Sequence, residues 1–121
     1  MRITGELETA IMNVLWSRDQ SCTVREVLER LRADRDIAYT TVMTVMNILY
    51  TKGWLLRDKQ GRAWSYRPVM SREEYSAQLM REALHSSPDT RGVFTHFVSG
   101  FNEEESEALR DALTRLTERE H

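Results

Sequence analysis

The chain has 121 residues, enough for one domain or for a small domain with an appendage. Hydrophobic residues make up 40% of it and charged residues 30%, a balance typical of a folded chain rather than a disordered one. No apolar run approaches the roughly 20 residues that span a bilayer, and the N-terminus has no apolar signal core. We therefore expect a soluble protein in the cytoplasm, with no membrane partner.

Charge is unevenly distributed along the chain, although the formal net charge is only −2. Residues 1–70 contain 11 Lys and Arg against 8 Asp and Glu, a balance of +3. Residues 71–121 contain 6 against 11, a balance of −5. A basic first half beside an acidic second half favours contact of the first half with a polyanion, although an excess of this size is a weak signal.

Two amphipathic helices are predicted at the start of the chain. The first runs from about Gly5 to Ser17, with Thr4 as its candidate cap. The second begins at Thr23-Val-Arg-Glu26, a capping box in which a hydroxyl and a carboxylate satisfy backbone amides reciprocally. Cys22, the only cysteine, precedes this box where a hydrophobic staple belongs. Of its two interpretations, a small apolar residue is favoured over a redox sensor.

The third predicted helix starts at Tyr39, with Ala38 as a poor cap and Gly53 after its end, and it has two different faces. One face has the i, i+3, i+4, i+7 spacing of a buried stripe: Val42, Val45, Met46 and Leu49. The other face is polar but almost uncharged: Thr40, Thr41, Thr44, Asn47 and Thr51. Short hydroxyls and one amide suit close contact with hydrogen-bonding edges such as those of DNA bases, although any single threonine is more often structural.

After Gly53 the spacing of apolar residues changes from the period of a helix to the two-residue period of a strand. Trp54–Asp58 and Ala63–Arg67 are predicted to be two strands, joined by a turn at Lys59–Arg62 and ended by Pro68. Three aromatic residues of this hairpin are interpreted as core rather than as a base-stacking platform: Trp54, Trp64 and Tyr66.

Three further helices are predicted beyond Met70. Ser71–Glu74 is a second capping box that opens a helix to about His85, a short helix ends at Gly100, and Asn102–Glu105 caps the last one. These helices contain about a dozen apolar residues in roughly 50, too few for a core of their own, so they must pack on the first domain or on a second chain. We expect two domains, residues 1–70 and 71–121, in a mainly α fold with a small β-hairpin.

Three helices followed by a hairpin are typical of a winged helix-turn-helix, in which the second helix of the pair enters the major groove of DNA. Asparagine pairs bidentately with adenine, and threonine bonds to either base type or contacts a thymine methyl group. The candidates for contact with bases are Tyr39, Thr40, Thr41, Thr44 and Asn47. Three basic residues on or beside the hairpin tip are candidates for contact with phosphates or the minor-groove edge, their alternative being simple solvation: Arg57, Lys59 and Arg62.

Several of these segments together resemble the penicillinase-repressor family (BlaI/MecI/CopY): Gly5–Glu8, Ile11–Trp16, Thr23–Leu28, Ala38–Val45, Lys52–Gly53 and Gly61–Pro68. The resemblance extends more loosely through the C-terminal half. It implies a homodimeric winged-helix repressor that binds a palindromic operator in double-stranded DNA, with groove-facing positions at Thr40, Thr41 and Thr44. It also implies dimerisation through the C-terminal helices, for which the candidate residues are Tyr75, Leu79, Phe94, Phe97, Leu109, Leu113 and Leu116.

The sequence departs from the family pattern at three places. Ile48 and Thr51 stand where the family often has basic residues, so phosphate anchoring is expected to shift to Lys52 and the wing. The copper-responsive branch has a C-terminal cysteine cluster that this chain lacks, so we expect no copper sensing, no metal site and no cofactor. The resemblance also implies a regulatory protease, whose Asn-Phe cleavage site would correspond to His96-Phe97, where the asparagine is missing.

Our main hypothesis is a repressor dimer that blocks a promoter, with β-lactamase or cell-envelope stress genes as implied targets. A winged-helix module that binds proteins is the alternative, supported by the uncharged helix face and by the acidic pI of about 5.9. An enzyme is the third hypothesis, but the sequence has no paired acid-base constellation, no Gly-rich phosphate loop and no metal-ligand cluster.

Overall fold

The described part of the chain forms six helices and a hairpin in the order that the sequence predicts, with one additional short strand between the first two helices. The computed structural model describes residues 2–120 and divides into two units, of which the first ends at Leu79 and the second begins at Met80. The elements are α1 (Glu6–Trp16), β1 (Cys22–Thr23), α2 (Val24–Leu31), α3 (Tyr39–Thr51), β2 (Leu55–Gln60), β3 (Ala63–Pro68), α4 (Arg72–His85), α5 (Thr90–Ser99) and α6 (Glu103–Arg119). The mainly α fold with a small hairpin is therefore confirmed.

One hydrophobic core holds the first unit together, and α3 lies in it. Val42, Met46 and Leu49 of α3 are fully buried, as the spacing predicts, whereas Val45 is only half-buried. They pack in one cluster with buried residues of α1 and α2, including Ile11. The interior face of α3 is consequently fixed by packing, so its opposite face is directed away from the core.

A three-stranded antiparallel sheet completes this unit, in the order β1-β3-β2. The two-residue strand β1 pairs Cys22 with Tyr66, and it is too short to give a period in the sequence. In the hairpin Gln60 pairs with Ala63, so the turn is two residues rather than the predicted four. Gly61 in that turn has a φ of 64°, a left-handed conformation that glycine adopts without steric cost.

The structure corrects two predictions about single residues. The N-cap of α1 is Gly5, with no side-chain cap, rather than Thr4. Trp64 is 39% exposed and does not belong to the core, whereas Trp54 and Tyr66 do. Trp64 pairs with Lys59 close to the turn, where residues 58–63 are also exposed, whereas the neighbouring Ser65 is buried. The alternation of the strand places Trp64 on the same face of the sheet as Tyr66. It does not show that the hairpin extends beyond the hydrophobic core before it reaches Trp64.

The predicted capping box at the start of α2 is present. The Thr23 hydroxyl accepts a hydrogen bond from the Glu26 amide at 3.2 Å, and Glu26 Oε1 accepts one from the Thr23 amide at 2.9 Å. The bond from the Thr23 backbone amide is the main reason that the pKa of the Glu26 carboxyl lies below its ordinary value, with smaller help from the Thr23 hydroxyl and Arg18. The box therefore favours the charged form of Glu26.

The second unit also follows its capping signals. Asp89 caps α5 by accepting a hydrogen bond from the Gly92 amide. Asn102 and Glu105 form the predicted capping box of α6. No residue of α5 or α6 is buried, so these helices have apolar side chains without a core around them.

We expect Glu26→Gln to reduce stability near neutral pH but not in acid. A carboxyl whose folded pKa is lowered contributes stability above its unfolded pKa, and this is lost as the pH falls through the folded pKa. Urea unfolding at pH 7 and pH 3 should show a difference from wild type only at pH 7. Glu29→Gln, on the same helix but outside the box, is the control. A difference that persists at pH 3 would contradict this origin of the effect.

Two methionines of α3 provide a matched test of the core. Met46 is 0% exposed and Met43 is 42% exposed. Met46→Ala should lower the free energy of unfolding by about 2–5 kcal/mol, because it leaves a cavity in the core. Met43→Ala should change it by about 0.5 kcal/mol or less, as surface substitutions usually do. Chemical denaturation in the absence of DNA measures both, and equal losses would mean that α3 is not oriented as described.

Candidate nucleic-acid interface

The outward face of α3 presents hydroxyl groups that have no partner in the part of the chain that the structure describes. Thr40, Thr41 and Thr44 are exposed, and within residues 2–120 their hydroxyls make no hydrogen bond. Three other helical threonines, Thr9, Thr95 and Thr117, donate to a carbonyl four residues earlier, although Thr51 and Thr114 do not in the described structure. The α3 hydroxyls are therefore available as donors and acceptors for an external partner.

The N-terminal end of α3 is exposed and has no side-chain cap. Ala38 is the N-cap, with extended backbone angles, as the sequence predicts. Tyr39 is held at this end by Arg25 of α2, whose guanidinium carbon lies 5.5 Å from the ring centroid. An uncapped helix N-terminus with exposed amides is suited to an anionic oxygen such as that of a DNA phosphate.

Arg57 does not extend from the wing into solvent but lies against α3. Its guanidinium carbon is 3.9 Å from the centroid of the Tyr50 ring and 4.3 Å from that of Trp64. Its Nη1 donates a hydrogen bond to Asn47 Oδ1 at 3.2 Å. We call this arrangement of Asn47, Tyr50, Arg57 and Trp64 the arginine seat. It joins a predicted wing contact and a predicted base contact to each other.

The other basic residues predicted to contact phosphates differ in whether their charged groups already have a partner within the described structure. Lys52 Nζ lies 3.4 Å from Oε1 of Glu8 in α1, and the Glu8 side chain is only 15% exposed. Lys59 is exposed, with its Nζ 5.1 Å from the Trp64 ring centroid. Arg62 is exposed in the hairpin turn, and the described part of the chain contains no partner for it. Arg62 is consequently the wing cation with most freedom to meet a phosphate.

Two residues on or beside this face were not predicted to be functional. Met43 is exposed one helical turn from both Tyr39 and Asn47, and its apolar character gave no reason to assign it to a polar stripe. Tyr50 is part of the arginine seat. The hairpin register, which pairs Lys59 with Trp64, relates Arg57 to Trp64 as diagonal neighbours but gives no signal for Tyr50 in α3.

The predicted dimerisation residues fall into two groups. Tyr75 packs inside the first unit, with its ring centroid 5.4 Å from those of Trp16 and Trp54, and Leu79 is half-buried. The remaining five are exposed on the second unit: Phe94, Phe97, Leu109, Leu113 and Leu116. His96 and Phe97, the proposed cleavage position, lie within α5.

Other kinds of site receive little support from the described residues. No group of three or more His, Cys, Asp and Glu among residues 2–120 is placed to hold a metal ion. Cys22 is buried, and burial raises the pKa of its thiol, which disfavours the reactive thiolate. None of the helices described here is both long and apolar enough to cross a membrane.

Comparison with known proteins gives related sequences along most of the chain. A family model described as Penicillinase repressor matches residues 4–115. The chain is 45% identical over 115 residues to the transcriptional regulator BlaI of Mycobacterium tuberculosis, covering 93% of this chain and 83% of that protein. It is 23% identical over 114 residues to the methicillin resistance regulatory protein MecI of Mammaliicoccus sciuri, covering 89% of this chain and 90% of that protein.

A solved structure supports the same fold. The chain is similar to the solution structure of the DNA binding domain of the repressor BlaI, with a TM-score of 0.53 and 28% identity. The match covers 61% of this chain and 92% of that domain. This agrees with the winged helix-turn-helix predicted from three helices and a hairpin.

Proposed function

The chain belongs to the penicillinase repressor family, and we propose that it is a DNA-binding transcriptional repressor whose α3 enters the major groove of an operator. The free hydroxyls of Thr40, Thr41 and Thr44, on a helix fixed by its buried face, are the observation that carries this proposal. The major groove admits an α-helix, and side chains of this kind read its hydrogen-bonding edges. The family relatives, named as transcriptional regulators, support regulation rather than enzymatic activity.

We infer different tasks for the helix and the wing from the exposure of their side chains. Thr40, Thr41 and Thr44 contact bases, while the uncapped N-terminus of α3 contacts a phosphate. Arg62 and Lys59 at the hairpin tip contact the DNA backbone. The name of the MecI relative, a methicillin resistance regulatory protein, supports target genes of β-lactam resistance. Such a repressor acts in the cytoplasm, where its DNA is.

The second unit supplies the proposed homodimer interface. Leu109, Leu113 and Leu116 recur on α6 at i, i+4 and i+7, and all three are exposed. Phe94 and Phe97 form a similar exposed pair on α5. A second copy would bury these side chains. The dimer would also place two recognition helices on the two halves of a palindrome, whereas a single helix contacts too few base pairs for useful specificity.

Release of the operator by a regulatory protease remains part of the proposal. The position that corresponds to the family cleavage site, His96-Phe97, lies inside α5, so its peptide bond is held in helical conformation. Cleavage there would require α5 to unwind locally, which its exposure makes easier than in a buried helix.

We expect Thr44→Ala and Arg62→Ala to weaken DNA binding in different ways. Thr44→Ala should relax base preference at one operator position by about 1–3 kcal/mol. Arg62→Ala should weaken binding to all sequences and reduce the salt dependence by about one unit. Titrations on operator and random DNA at several salt concentrations separate the two patterns. Absence of both specific binding and salt dependence would instead favour the protein-binding module, which the acidic pI of about 5.9 supports.

We expect Leu113→Glu to weaken the dimer. Burying a leucine contributes about 1.5–3 kcal/mol, and a two-fold interface contains the residue twice, so the expected loss is about 3 kcal/mol or more. Arg115→Glu, two residues further along α6 and therefore on another face, is the matched control and should dimerise nearly as wild type does. Analytical ultracentrifugation measures both. A wild-type monomer at micromolar concentration, or equal effects of both variants, would contradict this interface.

A further inference from the structure

The arginine seat changes what Asn47 can offer to a base. Arg57 has only hydrogen-bond donors, so the Asn47 atom that it binds must be the amide oxygen, in agreement with the 3.2 Å contact to Oδ1. The Nδ2 group is then the part of the amide without a partner among residues 2–120. A free asparagine would instead offer both an acceptor and a donor, the combination that matches adenine.

We propose that Arg57 is a specificity-positioning residue, which engages Asn47 Oδ1 and thereby leaves Asn47 to approach the operator mainly as a donor, through Nδ2. This inference rests on the proposed function, because it concerns a base contact of α3. In the major groove guanine presents two acceptors, N7 and O6, whereas adenine presents one acceptor and one donor. Asn47 in the seat therefore favours guanine at the position where a free asparagine would favour adenine, because Arg57 competes for the oxygen that would accept from adenine.

The seat holds Arg57 through contacts from two different elements. Tyr50 comes from α3, one helical turn after Asn47, and Trp64 comes from β3. Their ring centroids lie 3.9 Å and 4.3 Å from the guanidinium carbon. The Arg57 Nε is buried, and no carboxylate among the described residues forms an ion pair with the side chain. To reach a phosphate, Arg57 would have to leave two cation–π contacts and one charge-assisted hydrogen bond.

The central test compares base selection by wild type, Arg57→Met and Arg62→Met. Methionine keeps an unbranched apolar stem between the two rings but frees Asn47 Oδ1. Selection from a pool of operators randomised within each half-site should give guanine at the Asn47 position for wild type. Arg57→Met should shift the guanine-to-adenine ratio toward adenine by about tenfold, the size of a good bidentate base contact. Arg62→Met, on the same wing but outside the seat, should leave the ratio unchanged.

Two further variants test whether the change in the guanine-to-adenine ratio depends on Asn47 and on the arginine seat. Asn47→Ala should abolish the preference at this position in both the wild-type and Arg57→Met backgrounds. Tyr50→Leu removes one side of the seat without removing Arg57, and it should shift the ratio partly in the same direction. The proposal is overturned if Arg57→Met leaves base preference unchanged and weakens all sequences equally with a smaller salt slope. Arg57 would then be a phosphate contact.

A measurement without DNA separates this inference from the proposed function. In the free protein the Asn47 side-chain amide should give NMR resonances that shift in Arg57→Met but not in Arg62→Met. Unchanged resonances in Arg57→Met would disprove the seat, whatever the DNA results. A shifted amide together with no sequence preference by wild type would instead disprove the proposed function and the base-reading role of the seat, while leaving the contact itself intact.

Discussion

The burial of one face of α3 is the constraint on which the other features depend. Val42, Met46 and Leu49 are fully buried in a cluster shared with α1 and α2. Since close-packed interiors tolerate little displacement of a side chain, this face fixes the rotation of α3 about its own axis. The free threonine hydroxyls on the opposite face therefore have a defined direction before any partner binds, and a preorganised surface loses less entropy on binding than a mobile one.

A second consequence concerns charge. Of the basic residues on or near the proposed interface, Arg57 is held by two rings and an amide, and Lys52 faces a carboxylate of α1. Nonspecific attraction to DNA depends on the number of phosphates that cations neutralise. A recognition helix with neutral polar side chains and a wing with few free cations should thus attract random DNA only weakly. Recognition would rest more on base contacts and on two-fold pairing than on charge.

The sequence predicted the backbone of this site better than its side-chain contacts. The hydrophobic spacing and the glycine after its end, Gly53, indicated the position of α3 and its buried stripe, because both are properties of consecutive residues. The prediction of Trp64 as core was wrong, since strand parity does not show where a hairpin leaves the core. The arginine seat needs the hairpin register and the distance between α3 and the sheet, and neither follows from local sequence. Arg57 and Asn47, which the sequence assigns to two separate DNA contacts, therefore contact each other in the structure.

The pair formed by Lys52 and Glu8 joins the ends of two helices whose dipoles it complements. Glu8 lies near the positive N-terminus of α1, and Lys52 is the C-cap at the negative end of α3. The second oxygen of Glu8 is buried with no hydrogen-bond partner in the described structure, and Lys52 is the cation paired with this carboxylate. If a genetic screen for loss of repression recovered Lys52, loss of this pair would be an explanation separate from loss of a phosphate contact. Loss of repression at this position would report on how α3 is attached to α1, and only measurements of folding would distinguish it from a true DNA-contact mutant.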